Sequence, residues 1–199
     1  MRWSSSSAVL ALAMGILCTH PTAAGADEAA AHARARTLLM LRILAYDHGL
    51  KQRAGDRLTV LVAHHASDAG SLRRRDEIVE SFNGLEKIKV AGLPVAVATV
   101  AVGEPSLLAA TVRATRPAAI IVCPGLGDQI AVLRSLARSG TMLSFAPSAA
   151  ELKKGLSVAI VADDDRDRIA INLAASRAEG VKFDAVLLEM ATIVDGDAR

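Results

Sequence analysis

The sequence predicts an α/β fold: a mostly parallel sheet flanked by helices on both faces, with a carboxy-terminal β-hairpin and two short helices. Three observations carry that expectation. Residues 58–63, apart from Thr59, and residues 118–122 are apolar and rich in β-branched side chains, as in strands buried on both sides. Helical patterns of roughly ten to fifteen residues separate such runs, which is the alternation of a helix-covered parallel sheet. Near the end the alternation breaks: two short runs, 157–162 and 168–171, flank an acidic turn and read as a hairpin.

The elements follow in order. Arg2, a serine run, the apolar segment 8–18 and the small-residue site Ala24-Gly25-Ala26 predict a cleaved signal peptide over residues 1–26 and periplasmic export. The apolar segment is too short to span a bilayer, which needs about 20 residues. Cys18 follows Leu17, where lipidation signals take a small side chain, so a lipoprotein is disfavoured. Residues 27–199 then form a single domain of roughly 170 residues with one core. The formal net charge of +2 gives no footprint for nucleic acid. Cys123 is the one cysteine left after export, so no intrachain disulfide forms. A bridge between two chains is the alternative, but its place after an apolar run favours a buried, inert thiol.

An amphipathic helix opens the domain over residues 27–48, with Leu38, Leu41, Ala45 and His48 at helical spacing among Arg34, Arg36 and Arg42. Gly49 and Gly55 end it, and the strand 58–63 follows. Ser71 is positioned to cap the next helix, which turns Leu72, Val79 and Phe82 inward. Arg73, Arg74 and Arg75 crowd its outer side, most simply as a solvated face, with an anionic-lipid or partner patch as the lesser reading. A strand over 95–102 leads to a helix started by Pro105 and stopped by Pro117. The strand 118–122, the turn Pro124-Gly125-Leu126-Gly127, a helix capped by Asp128 and a strand over 141–145 complete the alternation. After the hairpin, Asn172 stands where an N-cap belongs and Gly180 where a left-handed stop belongs. A last helix from Asp184 places Leu187, Met190, Ala191 and Val194 on one stripe.

In a sheet of this kind ligands gather at the carboxyl ends of the strands, which assembles His64-His65, Cys123-Pro124-Gly125 and Ser144-Phe145 at one edge. Adjacent histidines on a strand point to opposite faces, and no third ligand is spaced to complete a metal site. The glycine turn at 124–127 lacks the remaining glycine of a dinucleotide fingerprint and the Lys-Ser/Thr of a P-loop. Asp163-Asp164-Asp165 with Asp167 lacks the glycine and distal glutamate of a calcium loop and reads as a solvated turn. Tyr46, Asp47 and His48 face different ways on a helix and read as surface and boundary positions. No catalytic, cofactor or metal residue is assigned.

The order Arg168-Ile169-Ala170-Ile171-Asn172-Leu173, then Gly180, then Leu187-Leu188-Glu189-Met190-Ala191 resembles the carboxy-terminal signature of the YfiR-like (YfiR/HmsC) periplasmic family. There a strand reading roughly R-F-E-I-N-L runs into a helix and then into L-L-x-L-A. The match covers about a quarter of the chain, with Ile169 and Ala170 standing where the family has Phe and Glu. The motif residues Arg168, Ile171, Asn172, Leu173, Gly180, Leu187, Leu188 and Ala191 are expected to be structural. The resemblance implies a non-enzymatic, dimeric regulator that binds and represses the periplasmic region of an inner-membrane signalling enzyme such as a diguanylate cyclase, in cyclic-di-GMP signalling. The alternative is a periplasmic small-molecule binding protein serving a transporter or sensor, with the strand-end edge as its pocket. An exported enzyme ranks third.

Overall fold

The computed structural model describes residues 23–85, 87–163 and 166–195. Residues 1–22, which hold most of the expected leader and Cys18, and the hairpin tip Asp164-Asp165 lie outside the described residues. Five strands run parallel: β1 (Leu58–His64), β3 (Leu93–Ala101), β4 (Ala119–Val122), β5 (Leu143–Ala146) and β6 (Val158–Asp163). They stand in the order β3-β1-β4-β5-β6. Counting only these strands, the order is the 2-1-3-4-5 arrangement of doubly wound sheets. β2 (Lys89–Val90) adds an antiparallel edge beside β3, and β7 (Arg166–Ile171) forms the hairpin with β6. β8 (Thr192–Ile193) then pairs parallel to β7 and ends the sheet.

The period of two along each strand divides the core. Val60 and Val62 of β1, Ile121 of β4, Phe145 of β5 and Ile160 of β6 point to one face. They meet Met40 and Leu44 of α1 (Ala23–Ala45), Ile78 and Phe82 of α3 (Ala69–Asn83) and Leu187 of α8 (Ala185–Met190). Leu61, Ala63, Ile120, Val122 and Ala159 point to the other. There they meet Leu108 of α4 (Pro105–Thr115), Ile130 and Leu133 of α5 (Ile130–Ser139) and Leu152 of α6 (Ala149–Lys153). Each of these side chains other than the two alanines contributes about 1.5–3 kcal/mol on burial, so the apolar strands stabilise both layers at once. The expected α/β architecture is the one observed.

Several local expectations are corrected. The buried stripe of α1 runs through Ala33, Thr37, Met40 and Leu44, whereas Leu38, Ala45 and His48 are exposed and only Leu41 of the expected set is buried. The cap of α3 is Asp68, whose carboxylate accepts the Ser71 N–H at 2.6 Å. Ser71 instead uses its hydroxyl to accept the His65 N–H. Ile78 and Phe82 carry the inward face of α3, with Leu72 and Val79 half-buried. Arg74 and Arg75 are half-buried too, so the arginine run is not simply a solvated face. Asp128 falls inside a 3-10 turn, Gly127–Gln129, and caps nothing.

β2, α2 (Leu50–Ala54), α6 and β8 are additions to the sequence reading. The final stripe stops early because α8 ends at Met190, which is 58% exposed, and the chain turns extended into β8. α7 (Leu173–Ala178) begins as expected, with Asn172 accepting the Ala175 N–H at 3.0 Å.

Candidate functional site

All five parallel strands present their carboxyl ends on one side. β1 leads from there to α3 on one face of the sheet, and β4 leads to α5 on the other. The gap between β1 and β4 is therefore the switch point at which open α/β sheets bind ligands. In this chain it is filled. Gly125 adopts φ +85°, and a Cβ placed on it would lie 3.1 Å from the Asp68 carboxyl carbon. The turn after β4 thus presses on the cap of α3 and closes the gap.

His64 and Cys123 end the two strands beneath this plug, both buried. Burial, and then the Arg75 guanidinium, hold the His64 imidazole below its usual pKa. Its Nε2 lies 3.3 Å from Arg75 Nη1 and accepts from it as the neutral ring. Burial pushes the Cys123 thiol up to about 11, so it stays protonated and is no nucleophile near neutral pH. His65 turns away, its Nδ1 3.3 Å from the Ser67 amide. The strand-end residues singled out in the sequence are therefore near one another without forming a reactive set.

A cavity of about 180 Å³ opens one step along the same edge, over the carboxyl ends of β4, β5 and β6. Its floor is Ile121, Phe145 and Ile160, and Pro124 and Pro147 line it from the turns that follow β4 and β5. Met40 and Arg36 reach over it from α1, and Arg74 from α3. Arg36 is held in place: its Nε lies 3.2 Å from Asp167 Oδ1 on β7, and its Nη2 donates to the Ile160 carbonyl. Arg74 pairs with Glu77 one turn on, at 3.1 Å. The result is an apolar pocket with two guanidinium groups in its lining.

Two buried acidic groups stand elsewhere. Glu179, just past α7, is fully buried at the amino ends of β5 and β6. It accepts the Ser144 N–H at 2.9 Å and the hydroxyls of Ser144 and Ser157. Burial outweighs these bonds and the nearby Arg138 charge, so the carboxyl is pushed up to about 7. Ser144 accordingly belongs to this network and not to the ligand edge, correcting its expected grouping with Phe145. Asp47, expected at the surface, is instead buried against Arg53 at 2.6 Å, and its Oδ1 accepts the amides of Gly49 and Lys182. His48 is exposed and lies 3.3 Å from Asp184.

The family-motif residues are spread along the terminal segment. Ile171, Asn172 and Leu187 are buried, Leu173, Leu188 and Ala191 pack at the core margin, and Gly180 holds φ +74°. Arg168 pairs with Asp163 across the hairpin. No grouping of three or more His, Cys, Asp or Glu placed to hold a metal occurs among the described residues. Nor is any described helix long and apolar enough to cross a membrane.

Sequence reasoning missed Arg36, Met40, Arg74 and Glu179. The first three come from helices whose placement over the strand ends is a tertiary matter. Glu179 carried one local signal: an acid at a helix carboxyl end opposes the helix dipole, which asks for a compensating partner.

No protein-family model matches the chain, and no curated protein matches it in sequence. Solved structures do resemble it. A domain from Streptococcus pneumoniae in complex with L-Trp has 14% identity over 76% of this chain, with a TM-score of 0.52. An open, ligand-free substrate-binding protein with adhesive properties from Clostridium difficile has 14% identity over 75% and a TM-score of 0.51. A conserved domain protein from Vibrio cholerae has 13% identity over 81% and a TM-score of 0.54. The likeness is one of fold. The alignments take in 60%, 58% and 59% of those chains.

Proposed function

We propose that this protein is a periplasmic small-molecule binding domain that takes its ligand in the cavity over β4, β5 and β6. The observation that carries the reading is the cavity itself: it lies at the carboxyl ends of the strands, one step from the filled switch point, with an apolar floor and a few polar groups beside it. The structural likeness to a substrate-binding protein and to a domain solved with L-Trp supports the same reading. The reaction chemistry of an enzyme finds no support in a protonated Cys123 and a neutral His64.

A fragment library tested by ligand-observed NMR provides the experiment. Fragments should bind the wild type and lose binding in Pro124→Trp, which puts an indole at the exposed mouth without disturbing the core. A library with no binders, or binders indifferent to that substitution, would overturn the proposal.

A second reading rests on a different observation. Val186, Met190 and Ile193 are exposed at the end of the chain, beside the edge strand β8 and within the segment that resembles the YfiR-like family. Apolar side chains gathered at a sheet edge suit a protein interface. On this reading the domain represses an inner-membrane signalling enzyme such as a diguanylate cyclase, and the pocket supplies the signal. Crosslinking in intact cells tests it: Met190→Lys should abolish capture of a membrane partner, and capture unchanged by that substitution would count against this surface.

A further inference from the structure

We infer that the ligand of the strand-end cavity is a small monocarboxylate with an apolar body, an assignment that rests on the binding reading above. Size bounds the body. An apolar cavity of about 150 Å³ takes up benzene, so 180 Å³ holds one ring or a branched aliphatic chain with a carboxylate attached. Phe145, Ile121, Ile160 and Met40 supply the apolar contact for that body.

Charge decides the head group. Arg36 and Arg74 line the cavity and no acidic side chain does, so a cationic head would meet two like charges. Arg36 is pre-positioned: its Nε lies 3.2 Å from Asp167 Oδ1 and its Nη2 donates to the Ile160 carbonyl, which holds the guanidinium beside the cavity. A guanidinium held in this way presents a fixed positive charge that a carboxylate complements through a charge-assisted contact. Arg74 pairs with Glu77, whose side chain is half exposed, and surface pairs of that sort are weak. A ligand carboxylate can therefore draw Arg74 inward at little cost. Each arginine already faces one carboxylate, so a bound monoanion leaves one net negative charge shared between two guanidinium groups, whereas a phosphate dianion leaves two with no further cation in the lining.

Isothermal titration of the full chain with phenylacetate and with its uncharged isostere phenylacetamide tests the assignment. Phenylacetate should bind the wild type at least about ten-fold more tightly than phenylacetamide, the ratio expected for one charge-assisted contact. Arg74→Gln should cut that preference several-fold, with phenylacetate losing more affinity than phenylacetamide, since Arg74 is one of the two cations in the lining. If Arg74→Gln does not fold, raising salt from about 50 to about 500 mM should weaken phenylacetate binding to the wild type and not phenylacetamide binding. Equal affinity for the two probes, or a preference unchanged by both Arg74→Gln and high salt, would overturn the carboxylate assignment while the binding reading stands on its neutral fragments. Neither probe binding at about 10 mM, a concentration that detects contacts of only about 3 kcal/mol, would also overturn it. The binding reading itself fails only if the fragment library yields nothing sensitive to Pro124→Trp.

Discussion

Glu179→Gln should make this protein more stable in mild alkali and leave it unchanged in mild acid. The carboxyl is buried with its oxygens facing the Ser144 amide and the hydroxyls of Ser144 and Ser157, and its folded pKa is about 7 against an ordinary 4.5. Between those values the folded protein keeps a proton that the unfolded chain releases. The unfolded state then binds fewer protons than the folded one, so stability falls as pH rises through this window and levels off above about 7. At about 1.4 kcal/mol for each tenfold change in proton affinity, the loss is about 3 kcal/mol.

A glutamine stands in for the protonated acid. Its carbonyl can accept from the Ser144 amide and Ser157 hydroxyl, its amide can donate to the Ser144 hydroxyl, and it has no charge to bury. His64 works in the other direction. Its lowered pKa gives stability that is present above its unfolded value of 6.5 and is lost as pH falls, so the wild-type curve alone mixes two trends. The difference between variant and wild type isolates Glu179. Urea unfolding at pH 5 and pH 8 should show that difference growing by about 3 kcal/mol, or roughly 6–12 °C in Tm for a domain of this size. Parallel curves at the two pH values would refute the assignment of a neutral, buried carboxyl.

Asp47→Ala should destabilise by about 3–5 kcal/mol, because it leaves the buried Arg53 guanidinium unpaired; chemical denaturation measures it, and a loss under about 1 kcal/mol would mean that Arg53 finds water. Asn172→Ala removes a buried cap and should cost about 1–2 kcal/mol in the same assay. Gly180→Val should lower stability by roughly 1–2 kcal/mol through backbone strain alone, since the site holds φ +74° and the nearest atoms to an added Cβ are at ordinary contact distance; an unchanged Tm would remove the left-handed stop from the account. Cys123 should resist a thiol reagent at pH 8 in the native protein and react at once in denaturant, because burial keeps the thiol protonated and covered.

What was legible in the sequence was whatever is decided within a few residues. Val60, Val62 and the run from Ala118 to Val122 are apolar on both sides of the strand, which requires cover on both faces and so implies the helical layers around them. Asn172 and Gly180 announce the ends of α7 because a cap and a left-handed stop depend on local backbone geometry. The strand-end edge followed from topology class, and the cavity does lie there.

The exact stripe of α1 was not legible. Apolar residues surround that helix, and only the sheet beneath it selects Met40 and Leu44 over Leu38. The same holds for charge. Arg36 and Glu179 look like ordinary surface residues, and what they do depends on Asp167 and Ser144, each brought near by the packing of helices on the sheet. Burial of a charge is affordable only where a partner waits, and that partner's position is a property of the tertiary fold. The sequence by itself therefore determined the layers and the ends of the elements, while the packing of α1 and α3 over the sheet decided which gap is plugged and which stays open as a pocket.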